Sequence, residues 1–89
     1  NPTHIAIALK YEQGTIGAPR LLAKGKGKVA EKIREIAREN SIPIRENKPL
    51  ARSLFKSVKI GEEIPEELFE AVAIILGEIY RMKMMNAGL

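Results

Sequence analysis

The apolar positions change period several times along the chain. Residues 4–11 alternate, with Ile5, Ile7, Leu9 and Tyr11 on one side and His4, Ala6, Ala8 and Lys10 on the other. That is the period-two signature of a strand, and the small alanines leave room for a helix on the second side. Residues 12–17, with Gly14 and Gly17, read as a loop. Leu21, Leu22 and Ala23 within Arg20–Lys24 predict a short second strand. From Lys28 to Glu39 the period becomes helical, with Val29, Ile33, Ile36 and Ala37 on one stripe and Asn40 as the stop. Ile42-Pro43-Ile44 predicts a third short strand, at an edge or strand start because Pro43 has no N–H for a ladder. Asn47 and Pro49 mark a helix start, with Leu50, Leu54 and Val58 as its stripe and Phe55 beside it. Pro65 opens the last helix. Glu66 and Glu67 sit in its first turn, where the helix dipole favours negative charge, and Leu68, Val72, Ile75, Leu76 and Ile79 form its inner face.

The order strand, strand, helix, strand, helix, helix predicts an α/β fold: a small central sheet of three strands packed by about three or four helices. Eighty-nine residues with 45% apolar content predict one small domain over residues 1–89 with a modest core. The chain has no cysteine, which excludes a disulfide framework and a thiolate metal site. No apolar run approaches the roughly 18 residues that cross a bilayer, and no signal peptide is visible. Any membrane attachment is expected to come through a segment upstream of this stretch.

The net charge of +4 is unevenly laid out. Seven basic residues lie between Arg20 and Arg38, against Glu31 and Glu35, whereas residues 60–80 hold six glutamates and no basic residue. Most of these charges read as solvated helix surfaces, including the i,i+3 pairs Glu31–Arg34 and Glu35–Arg38, but the layout also gives two faces of opposite sign that can steer partners. Gly25-Lys26-Gly27-Lys28 fits no phosphate-loop spacing and reads as a strand-to-helix turn. Glu62, Glu63, Glu66 and Glu67 have no second ligand type near them in sequence and read as a solvated helix start, so neither a metal nor a cofactor is expected. Tyr11, Phe55, Phe69 and Tyr80 are too few for a base-stacking surface.

The candidate chemistry sits in Asn1-Pro2-Thr3-His4. Asparagine normally decays when the following backbone nitrogen attacks the side-chain amide. Pro2 has no N–H, so that route is closed. The reverse attack remains: the Asn1 side-chain nitrogen on the Asn1 carbonyl carbon, closing a succinimide and expelling Pro2 as an amine. An amide nitrogen is a poor nucleophile, so geometry must supply most of the rate. Thr3 can hold the turn by hydrogen bonding or simply open the strand. His4, the one histidine, can move a proton or tune the turn. On residue types alone, an ordinary turn is the better account of Asn1 and Pro2.

The tetrapeptide, running into a strand that ends Ala8-Leu9-Lys10-Tyr11, resembles the self-cleaving motif of the FlhB/YscU family of flagellar and type III secretion export-gate switch proteins. Ala18-Pro19 before Ala23-Lys24-Gly25, Ile42-Pro43-Ile44 with Glu46-Asn47 and Pro49-Leu50-Ala51-Arg52, and the run from Gly61 to Leu68 extend the resemblance over nearly the whole chain. It implies four strands with helices around them, the missing strand lying before Asn1. It also implies a switch of export-substrate specificity after one self-cleavage between Asn1 and Pro2, with no multiple-turnover enzyme activity. Asn1 and Pro2 would be the essential pair, with His4 assisting. The implied partners are the upstream fragment, other export-gate components, export substrates and the hook- or needle-length control protein. Nucleic acid is not among them, and the implied place is the cytoplasmic face of the bacterial inner membrane, flagellar more than virulence-type. A second reading, from the pI of about 9.6, is a small basic nucleic-acid-binding domain.

Overall fold

A computed structural model describes residues 4–12, 14 and 17–86. Strand β1 (Ile5–Lys10) pairs antiparallel with β2 (Arg20–Lys26), and the helices follow as α1 (Gly27–Glu39), α2 (Lys48–Ser57) and α3 (Phe69–Asn86). A short 3₁₀ turn over Glu66–Leu68 leads into α3. The predicted α/β class holds. Among the described residues the sheet has two named strands, not three.

The missing strand is the one expected at Ile42–Ile44. Its backbone is used to end α1. Ser41 adopts φ +55, its N–H donates to the Arg38 carbonyl at 3.2 Å, and the Ile42 N–H donates to the Ala37 carbonyl at 2.8 Å. This is the paired bonding of a Schellman cap, with serine where glycine is usual. With the Ile42 donor spent and Pro43 lacking one, only Ile44 retains an N–H for a ladder. Three residues with one donor do not make a strand.

The two faces of the β1–β2 pair differ in kind. Ile7 and Leu9 turn toward a core of Leu21, Leu50, Leu54, Val58, Ile64 and Val72. Ala6 and Ala8 pair with Gly25 and Ala23 on the other face, and α1 lies there with Ala30 fully buried. The anticipated small-residue face therefore does receive a helix. That helix is centred on Ala30, so Val29 and Ile36, expected on the inner stripe, are exposed. A bulge in β2 opposite Ala8 and Leu9 leaves Leu22 without a partner; it turns Leu22 out to 53% exposure while Leu21 is fully buried. β2 runs two residues further than the pattern indicated and passes into α1 without a loop, through Gly27 at φ +54.

The stripes of α2 and α3 fare better than that of α1. Leu50 and Leu54 on α2, and Val58 just after it, are buried; on α3, Val72 is buried and Ile75 and Leu76 pack against the core, as does Leu68 at the end of the 3₁₀ turn. Asn47 caps α2, its Oδ1 accepting the Leu50 N–H at 3.1 Å. Glu35 pairs with Lys32 at 3.7 Å, and Arg34 reaches out of its helix to Glu46, also at 3.7 Å.

Candidate functional site

Asn1, Pro2 and Thr3 lie outside the described residues. The structure takes up the chain at His4, which is exposed and whose carbonyl accepts the Gly27 N–H at 3.0 Å. The segment following the Asn–Pro bond is therefore anchored to the strand–helix junction from its third residue, His4, onward.

That one bond also sets the phase of the ladder. Hydrogen-bonded and non-hydrogen-bonded pairs alternate along an antiparallel pair. With His4 bonded to Gly27, Ala6 and Ala8 bond across to β2, and Ile5 and Ile7, with Leu9 beyond the bulge, aim their N–H and C=O groups the other way. No backbone bond from another described segment meets that outer edge. The opposite edge of β2 is covered at its beginning. There Leu21 N–H donates to Glu62 O at 2.9 Å, Gly61 N–H to Leu21 O at 2.7 Å and Ile64 N–H to Pro19 O at 2.8 Å. Arg20 reinforces this return, donating to Gly61 O at 3.0 Å and standing 3.8 Å from the Glu63 carboxylate.

An open groove of about 680 Å³ runs between this region and α3. Ala18 and Pro19 form one wall, Val72, Ala73 and Leu76 the other, and Tyr80 stands among the lining residues. The two walls come from positions more than fifty residues apart in the chain, so no local pattern pointed to it.

Lys24 is the other group the sequence pattern did not single out. It lies on β2 with its side chain directed to α2, where Nζ donates to Phe55 O at 2.9 Å and Val58 O at 2.8 Å. These carbonyls end α2, where a cation is favoured. The same ammonium lies 5.0 Å from the centroid of the Phe55 ring, and Lys26 Nζ lies 4.8 Å from it. Among the described residues no group of three or more His, Cys, Asp or Glu converges to hold a metal ion, and no helix is long and apolar enough to cross a membrane.

An antiparallel pair with one helix on its small-residue face and two on its apolar face defines a small mixed α/β domain with an open edge. Solved structures share it. The cytoplasmic domain of FlhB from Shewanella putrefaciens superposes with a TM-score of 0.88 at 41% identity, covering 96% of this chain and 69% of that one. The PscU C-terminal domain does so with a TM-score of 0.82 at 35% identity, covering 88% and 99%. The flagellar biosynthetic protein FlhB of Borreliella burgdorferi is 50% identical over 80 residues, 90% of this chain. Its Bacillus subtilis counterpart is 48% identical over 83 residues, 93% of this chain. The chain spans 22% and 23% of the length of these two relatives. The sequence profile of the FlhB HrpN YscU SpaS family matches residues 1–79, and the chain belongs to that family.

Proposed function

We propose that this chain is the downstream part of an export-gate switch domain, over residues 1–89, that matures by cutting its own Asn1–Pro2 bond. The Asn1 side-chain nitrogen attacks the Asn1 carbonyl carbon. The tetrahedral adduct collapses with rupture of the bond to Pro2, whose nitrogen takes up the proton released by the attacking amide. The products are a C-terminal succinimide on the upstream fragment and a chain beginning with Pro2 as a secondary amine. Thr3 holds the turn, and His4 either relays that proton or steadies the turn. The reaction occurs once per molecule. After it, the domain favours late over early export substrates, at the cytoplasmic face of the inner membrane to which the upstream segment tethers it. It does so with other gate components and the length-control protein.

The observation that carries this reading is the Asn–Pro bond three residues before a rigid ladder in a chain of this family. In the protein carrying its upstream segment, intact mass gives two fragments, and Asn1→Ala gives one. Efficient cutting of purified Asn1→Ala at the same bond would sink the mechanism. His4→Ala slows the cut by a factor on the order of 10²–10⁴ if His4 moves the proton, with recovery as pH rises from 6 to 9; a turn-holding His4 gives the same deficit at every pH.

The groove is the surface we assign to export substrates. Its apolar walls fit a short apolar segment, and α3 presents Phe69 at 45% exposure beside it. Ala73→Asp, at an exposed rim position, is expected to lower substrate export while leaving the cut at Asn1–Pro2 unchanged. Normal export by that variant would remove the groove from the pathway.

A further inference from the structure

Helix α2 has an electrostatic layout that its own chain does not explain. Lys48, Arg52 and Lys56 recur at i, i+4 and i+8, all three exposed. No acidic residue lies in the helix, and none of the three takes part in an ion pair among the described residues. Like charges one turn apart repel, and Lys48 stands in the first turn, where the dipole disfavours a cation. Lys26 extends the row sideways by lying over Phe55, whose direction from the helix axis falls in the same arc as Lys48 and Arg52. The nearby carboxylates are engaged elsewhere: Glu46 with Arg34, and Glu62 with the Lys59 N–H at 2.8 Å.

We propose that the exposed face of α2 is a docking surface for an acidic helical segment of a protein partner. Three features favour that occupant. The cations repeat about every 6 Å along the axis, the spacing of carboxylates at i, i+4 and i+8 on an opposing helix. Arg52 in the centre offers a planar fork suited to a carboxylate. Leu50 and Leu54 of α2 are 7% and 2% exposed in the core, and the half-buried Phe55 ring lies under Lys24 and Lys26, so this face has no apolar stripe to insert into a bilayer as an interfacial helix does. Nucleic acid is disfavoured because the one aromatic ring on this face, Phe55, already carries Lys24 and Lys26.

The test is a titration of the isotope-labelled full chain, followed by amide chemical shifts, with a synthetic helical peptide bearing three glutamates at four-residue spacing. The same peptide with glutamines serves as reference. Shifts concentrate on Lys48–Ser57 and Lys26, and the glutamine peptide leaves them in place. Lys48→Gln/Arg52→Gln/Lys56→Gln weakens binding about tenfold, as loss of three exposed pairs predicts. Lys28→Gln/Lys32→Gln/Arg38→Gln on α1 removes the same charge and stays within about twofold of the unaltered chain. Equal weakening by both triple variants, shifts spread over every basic surface, or tighter binding to phosphatidylserine vesicles than to the peptide would each overturn the proposal. A folded amide spectrum for both variants excludes loss of structure as the cause.

Discussion

Gly25 is where a single residue governs how closely α1 approaches the sheet. A Cβ at that position overlaps the Val29 side chain and lies 3.1 Å from the Val29 carbonyl carbon. The backbone of the first helical turn cannot yield as a side chain does, so α1 would have to lift off Ala6, Ala8 and Ala23. Gly25→Ala is therefore expected to destabilise the fold by about 1–3 kcal/mol, the usual range for overpacking, read as a lower urea midpoint. An unchanged midpoint would show that α1 docks more loosely than this contact implies. Among the sequence readings at this scale, the alanines of β1 correctly announced a helix-bearing face. In the sequence Gly25 reads with Gly27 as a turn glycine, and only the helix crossing above it reveals its other function. The chemistry proposed for Asn1 and Pro2 rests on the sequence alone, because it would involve only bonds within two adjacent residues.

At the scale of elements, the stripes of α2 and α3 are legible because burial there follows the local period, whereas α1 docks through Ala30 and leaves Val29 and Ile36 of its expected stripe exposed. The third strand failed for a reason equally local but invisible to hydropathy. Ser41 took a left-handed conformation that periodicity does not anticipate, and this committed the Ile42 N–H to α1. Nothing in the local pattern marks Lys24, because a lysine in a short strand ordinarily points to solvent. Its acceptors, Phe55 and Val58, are 31 and 34 residues away in sequence. Two lysines on one strand allow its contribution to be separated from that of its neighbour. Lys24→Met removes two hydrogen bonds to the end of α2 and one ring contact, whereas Lys26→Met removes a ring contact alone. Lys24→Met is expected to cost about 1–3 kcal/mol, and Lys26→Met less than about 1 kcal/mol. Denaturant unfolding of both variants checks the ranking, and equal losses would mean that the ring contact carries the effect.

Across the whole molecule, the open edge of β1 and the Asn1–Pro2 bond describe one situation. Ile5, Ile7 and Leu9 present backbone donors and acceptors that no described segment meets, and their side chains belong to a strand packed on both faces. A strand delivered from upstream of Asn1 would complete this edge with the backbone pairing that an exposed edge otherwise leaves unmade. Cutting the one peptide bond between Asn1 and Pro2 would remove neither those hydrogen bonds nor the burial behind them. Each backbone bond contributes roughly 0.5–1.5 kcal/mol net, and several of them together with apolar contacts on two faces hold a strand firmly. The two fragments are expected to co-elute in size-exclusion chromatography under native conditions after complete cleavage, and to separate only in denaturant. The cut would then act by freeing the chain ends around Pro2 while the fold persists. If the fragments parted at native conditions, the upstream strand would be absent from the mature domain, and the β1 edge would stand open to another partner.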